Sequence, residues 1–231
     1  MSDILVLGEA QVSIITALSK SKSGLTRDEI IHATKIPGGG NLTKTLCELE
    51  QCAFIEKYSD FTRQKKNAYY RLIDPFTLFW LKYVYNNNSK DEYYWTNLLD
   101  DGGRRAWSGY AFEQLCLLHI AQIKRKLGIS GISTEVFSWR SRDHSPRAEI
   151  DLLIVRKDGV INLCEMKYSL HPYTLSKKDD RDLQNKRMTF LSQTNTSYAI
   201  HTTMVTTYGL SENGYRASVQ SEVTLDDLFC R

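Results

Sequence analysis

Three residues near the middle of the chain have the types and spacing that phosphodiester chemistry needs. Asp151 opens an aliphatic run, DLLIV, and a second run, VINLC, delivers Glu165-Met166-Lys167. Between them lies Arg156-Lys157-Asp158-Gly159, and Asp-Gly is a strong hairpin signal. Alternation along a strand puts Glu165 and Lys167 on one face, and the turn folds Asp151 back toward Glu165. Two carboxylates are hard oxygen ligands that suit Mg²⁺ or Mn²⁺ held with several waters. Such an ion lowers the pKa of a bound water and neutralises charge at a phosphodiester. Lys167 would orient the nucleophile or stabilise the pentavalent transition state. The spacing alone also fits a surface hairpin with ordinary ion pairs, so both readings stand at this point.

These residues need elements to position them. Gly109-Tyr110-Ala111-Phe112-Glu113 opens a predicted helix that continues QLCLLHIAQIKRKLG, with Phe112, Leu115-Cys116, His119-Ile120 and Ile123 as its apolar face. Gly128 is its expected stop. Glu113 near the helix start either aims at the hairpin or only complements the positive end of the helix dipole. Val136 to Trp139 reads as a strand entering the hairpin through a basic loop with Arg140, Arg142, His144 and Arg147. That cluster either holds a nucleic-acid backbone or is a solvated loop. A helix over Leu183 to Phe190 and a strand over Tyr198 to Thr206 follow, then a short strand and helical turn over Val223 to Phe229. Lys177, Lys178, Arg181, Lys186 and Arg187 add positive charge there, partly offset by three aspartates. The order helix, strand, hairpin, helix, strand predicts an α/β core, a small mixed sheet flanked by helices.

The first 74 residues read differently. Val12, Ile14, Ile15 and Leu18 recur at helical spacing. Thr26 and Glu29 form a capping box for a second helix. Pro37-Gly38-Gly39-Gly40 makes a turn, and Asn41 is placed to cap a third helix with Leu42, Leu46 and Leu49 on one face. Phe54 to Tyr58 and Ala68 to Ile73 read as a strand pair around a polar, basic loop. Three short helices followed by a β-hairpin predict a winged helix-turn-helix. Its groove-reading candidates are Asn41, Thr43, Lys44 and Thr45, and its wing candidates are Arg63, Lys65 and Lys66. Glu48 and Glu50 on the third helix would repel phosphate, so a protein-docking use stands beside a DNA-binding one. Phe76 to Tyr85 is dense in aromatics and reads as a helical clamp between two modules. The expected organisation is 1–74 winged helix, 75–108 aromatic helical linker, and 109–231 α/β core.

The chain has 231 residues, enough for one large domain or two small ones, and its 42% hydrophobic and 25% charged content is that of a folded protein. A formal net charge of +3 does not by itself demand nucleic acid. Five cysteines include no C-x-x-C pair, and Cys116 with His119 has no second ligand pair, so a zinc site is not expected. Reduced thiols in a cytoplasmic protein fit that pattern. No apolar run is long enough for a transmembrane helix, and the N-terminal apolar stretch is too short for a signal peptide.

With these residues in view, 110 to 167 resemble the PD-(D/E)xK, restriction-endonuclease-like fold. The resemblance implies a catalytic set of Glu113, Asp151, Glu165 and Lys167, with Asp151 and Glu165 as ligands of Mg²⁺ or Mn²⁺. Ile150 stands where the family name has proline, and Glu149 adds a carboxylate two residues before Asp151 on the same face. The whole chain resembles the C-terminal half of the archaeal-type P-loop ATPases, which also occur in bacteria. LIDPFTLFW (Leu72 to Trp80), GYAFEQLC (Gly109 to Cys116), EIDLLIV and CEMKYS carry that likeness in order. The sequence has no GxxxxGK[ST] loop, so no ATP site and no ATPase activity are expected of it. The resemblance instead implies a P-loop ATPase domain in cis, with the chain a truncation or a stand-alone relative. The expected function is a DNA-binding and nuclease-like module; the alternative is a catalytically inert interaction or regulatory module of the ATPase. The sequence leaves the oligomeric state open.

Overall fold

The computed structural model describes residues 7–21, 23–61, 68–85, 91–98, 102–141 and 148–230. They form a mixed α/β protein with a three-stranded and a five-stranded sheet. The chain divides into two compact units, one of Met1–Ser59 with Arg63–Gln114 and one of Asp60–Thr62 with Leu115–Arg231.

The first unit begins with α1 (Glu9–Ser19), β1 (Leu25–Thr26), α2 (Arg27–Thr34), α3 (Gly40–Gln51), β2 (Ile55–Tyr58) and β3 (Tyr69–Leu72). Its sheet is antiparallel in the order β1-β3-β2. Ile14, Ile15, Leu18, Ile30, Leu42, Leu46, Leu49, Ile55 and Leu72 form one core. Val12, expected on the apolar stripe of α1, is instead exposed, because the buried face centres on Ile14, Ile15 and Leu18. The capping box of α2 is made in full: Thr26 N–H donates to Glu29 Oε2 at 2.7 Å, and Glu29 N–H to Thr26 Oγ1 at 3.3 Å. Gly24 is required just before it. Its φ is +69°, and a Cβ there would run into the Tyr70 carbonyl of the paired strand.

Asn41 does not cap α3. The helix starts two residues earlier than a cap at Asn41 would place it, from an extended Gly39 whose carbonyl accepts both the Thr43 N–H at 3.2 Å and the Thr43 hydroxyl at 3.1 Å. A glycine there lets the chain enter the helix without a side-chain cap.

The unit continues with α4 (Pro75–Phe79), which runs into a π-helical turn at Trp80–Val84, then α5 (Tyr94–Asn97) and most of α6 (Gly102–Leu118). Asp74 caps α4 by accepting from the N–H groups of Phe76 at 3.1 Å and Thr77 at 3.0 Å, with Pro75 in the first turn. Phe79, Tyr83, Trp95 and Trp107 pack on one another, mostly edge to face, with Trp95 centred 4.8 Å from Phe79, 5.0 Å from Tyr83 and 5.5 Å from Trp107. This cluster explains why α6 begins at Gly102 rather than at Gly109. Packing of Trp107 outweighs the roughly 1 kcal/mol that a mid-helix glycine costs.

In the second unit α6 ends at Leu118, and α7 (Ile120–Lys126) follows a break at His119. The expected continuous helix is therefore two. The five-stranded sheet contains β4 (Thr134–Arg140), β5 (Glu149–Arg156), β6 (Val160–Lys167), β7 (Ala199–Thr206) and β8 (Ser221–Thr224), in that order across the sheet. β4, β5 and β6 are antiparallel neighbours, and β6, β7 and β8 are parallel. The crossover from β6 to β7 is α8 (Lys177–Thr194). Trp139, Ile150, Leu153, Ile161, Leu163, Phe190 and Ile200 form the main core, and Leu175, Leu183, Met204 and Val219 a second. Asp60 and Phe61, from the segment after β2, belong to this unit. Asp60 bridges Ser138 of β4, and Phe61 packs its ring on Phe137 and Phe190.

Candidate active site

The β5–β6 hairpin turns through Lys157, Asp158 and Gly159. Gly159 has φ +88°, which few other residues tolerate, so the Asp-Gly signal marks a real geometric need. Leu153 pairs with Leu163 and Leu152 with Cys164. The paired register ends at Leu152 and Cys164; alternation puts Asp151 on the face of Leu153 and Glu165 on the face of Leu163, which is the same face. Both are half-buried, between the fully buried Leu152 and Cys164 and the open ends of the strands.

Glu165 is held by two ammonium groups. Lys167 Nζ lies 2.9 Å from Oε1, and Lys186 Nζ, from α8, lies 2.6 Å from Oε2. The Glu165 side chain is 13% exposed, against 36% for Lys167 and 21% for Lys186. Burial alone would raise the Glu165 pKa, but Lys186 and Lys167 outweigh it and hold the carboxyl below its ordinary range. Lys167 is the mirror case. Burial disfavours its charge, and Glu165, helped by Tyr173 and Asp179, carries its pKa above the ordinary value.

Tyr173, in the loop after β6, donates its hydroxyl to Asp179 at 3.0 Å. Asp179 also completes the capping box of α8, accepting from Ser176 N–H at 2.9 Å and from its hydroxyl at 2.6 Å. Burial and Asp179 push the Tyr173 phenol up to about 12. Asp179 is itself pulled down: burial opposes its charge, and the bonds from Ser176 and Tyr173 outweigh that.

Glu113 lies on α6 in the first unit, half-buried, close to Tyr110. Tyr110 donates to the Leu72 carbonyl at 2.5 Å. Burial, resisted by Arg71 and helped by Glu113 and Asp74, raises its pKa to about 12. Arg140 ends β4, with its guanidinium 3.6 Å from Glu149 and its N–H on Asp60 at 3.1 Å. Arg142, His144 and Arg147 lie outside the described residues, as do Arg63, Lys65 and Lys66.

On α3, Asn41, Thr43 and Lys44 are exposed together near the helix start. Thr45 is not available with them. It sits on the buried side with Leu42 and Leu46, and its hydroxyl donates back to the Asn41 carbonyl at 3.0 Å. Lys44 reaches Glu48 at 3.9 Å, and Glu48 also accepts from Gln11 at 3.1 Å, so part of the acidic charge on α3 is answered internally.

Lys186 is the residue that sequence reasoning did not single out, having counted it only as positive charge. A signal was present: Leu183, Lys186 and Phe190 recur at i, i+3 and i+7, which puts the lysine on the helix face that carries two buried apolar residues.

Among the described residues no group of three or more His, Cys, Asp or Glu is gathered closely enough to hold a metal ion. Asp151 and Glu165 lie on one face of the hairpin, and both carboxylate oxygens of Glu165 are taken by lysines in this arrangement. No helix among the described residues is long and apolar enough to cross a membrane.

No protein-family model matches the chain, and no curated protein matches it. Among solved structures, a crystal structure of a protein of unknown function, AF1548, aligns with 16% identity and a TM-score of 0.35. The alignment covers 51% of this chain and 64% of that one. At that score the likeness carries no argument about fold or function.

Proposed function

We propose that the chain is a nucleic-acid module in which a winged helix (1–74) docks nucleic acid and a restriction-endonuclease-like core (109–231) hydrolyses phosphodiester bonds, the two joined through 75–108. The observation that carries this reading is Lys167 2.9 Å from Glu165, in a hairpin whose alternation puts Asp151 and Glu165 on one face. Asp151 and Glu165 would hold Mg²⁺ or Mn²⁺, which supplies an activated water and charge neutralisation when bound. Lys167, kept charged by Glu165, is positioned to stabilise negative charge developing on a phosphate.

The element order α1-β1-α2-α3-β2-β3 supports the winged-helix part. Asn41, Thr43 and Lys44 present an exposed polar surface on α3, and Arg63, Lys65, Lys66, Arg140, Arg142 and Arg147 complete the proposed nucleic-acid contacts. A P-loop ATPase domain in cis is the proposed partner. Incubating supercoiled DNA with the protein and Mn²⁺ tests the reading. Nicking by the wild type that Asp151→Ala abolishes supports it; wild type that cuts neither DNA nor RNA with either metal removes it.

A second reading is an inert docking module for the ATPase. The observation in its favour is that both oxygens of Glu165 are already engaged by lysines. Under it, the protein binds its ATPase and cuts nothing at any metal concentration.

A further inference from the structure

Large apolar side chains stand exposed at one end of the five-stranded sheet, where β6 and β7 finish. Tyr168 follows β6 directly and is 39% exposed; Leu170 is 70% exposed; Tyr208, two residues past β7, is 58% exposed. β6 and β7 run parallel and in step, from Val160 beside Ala199 to Lys167 beside Thr206. The three residues therefore leave adjacent strand ends.

The backbone that carries them is tied down. Ser169 N–H donates to Thr207 Oγ1 at 3.0 Å, Tyr173 N–H to the Gly209 carbonyl at 2.8 Å, and Ser211 N–H to the Tyr173 carbonyl at 3.0 Å. Gly209 turns the chain just after Tyr208 with φ +84°, and Glu222 holds the turn by accepting from Leu210 N–H at 3.2 Å. Exposed rings on a fixed backbone lose little entropy when a flat partner settles on them.

The charge beside them that faces solvent is positive. Lys167 adjoins Tyr168, and its side chain is 36% exposed against 13% for the Glu165 that it pairs with. Asp179, the other carboxylate that acts on Lys167, accepts from Ser176 and Tyr173. Lys177 and Lys178 are exposed in the first turn of α8. Ring faces next to ammonium groups match a base and its phosphate. Three side chains fall well short of the roughly 800 Å² per partner that a stable protein contact buries.

We propose that Tyr208, Tyr168 and Leu170 form a stacking platform for unpaired bases of a single-stranded nucleic acid, with its phosphates toward Lys167. This deepens, and rests on, the reading of the second unit as acting on nucleic acid. In a duplex the base faces are covered by their neighbours, so the platform selects single strands. Every base has a π-face, so it selects no sequence.

The test measures binding of fluorescent oligo-dT and oligo-U to the full chain by anisotropy at low salt. Tyr208→Ala and Tyr168→Ala should each weaken binding by at least about fivefold, and Tyr208→Trp should keep wild-type affinity. Loss with either oligonucleotide supports the platform and tells DNA from RNA. Neither alanine variant removes a charge, so the slope of log K against log salt should keep its wild-type value. Wild-type affinity in both alanine variants, or binding of duplex alone, overturns the inference and leaves the nucleic-acid reading intact. A wild type that binds neither oligonucleotide nor duplex removes both. Iodouracil-substituted oligonucleotides give a readout on the unsubstituted protein: photocrosslinks should map to Tyr168 or Tyr208, and crosslinks confined to other residues overturn the inference. Self-association in sedimentation that Tyr208→Ala abolishes also overturns it, because the patch then faces a second copy.

Discussion

The Tyr173 hydroxyl donates to Asp179 at 3.0 Å, and the same aspartate caps α8 through Ser176. One carboxylate therefore fixes both the loop after β6 and the first turn of the helix that supplies Lys186.

This relationship gives an alkaline prediction. A phenol raised from 10.0 to about 12 binds its proton more tightly in the folded state. Its contribution to stability is complete below pH 10 and is lost as pH rises through 10 to 12. Tyr173→Phe should cost about 1 kcal/mol at neutral pH for the lost hydrogen bond. Its stability should then fall less steeply than wild type across that alkaline window, as read by urea denaturation at stepped pH.

Glu165→Gln should destabilise the second unit by about 2 to 3 kcal/mol, less than a fully buried pair costs, because Lys167 is partly in water. The pH sign is opposite to that of tyrosine. A carboxyl held below its ordinary 4.5 stabilises the fold above that pH, and the contribution is lost as pH falls through the depressed value. Acid denaturation curves of Glu165→Gln should lack that component of the slope.

Gly24→Ala should destabilise the first unit by at least about 2 kcal/mol. The positive φ is costly for any side chain, and the new methyl meets the Tyr70 carbonyl rather than a movable side chain. Thermal unfolding of the variant checks this, and a change within error would contradict the β1–β3 register.

Lys44→Ala tests the proposed role of α3. A lysine that neutralises one phosphate contributes about one unit to the salt dependence of binding. The variant should bind duplex DNA more weakly and lower the slope of log K against log salt by about that amount. Binding with an unchanged slope would take α3 off the DNA.

What the sequence made legible was local. The Thr26–Glu29 capping box and the Asp158-Gly159 turn depend on residues a few positions apart, and each is signalled by its own chemistry. From the turn, strand alternation puts Asp151 and Glu165 on one face of the hairpin. The start of α6 at Gly102 has a reason that is not local: Trp107 packs against Trp95 and Phe79 from other helices. The Lys186–Glu165 pair is 21 residues apart and forms only once α8 lies on the sheet. The contact between Arg140 and Asp60 spans 80 residues, and nothing near either one announces it.

That long-range contact has a consequence for solution behaviour. β4 is the outermost strand on its side of the sheet, and Asp60 and Phe61 occupy part of its outer rim through the bridge to Ser138. An uncovered rim of this kind is a template for another molecule's strand. Substitutions that dislodge Phe61 should therefore first appear as self-association through β4, ahead of any loss of secondary structure.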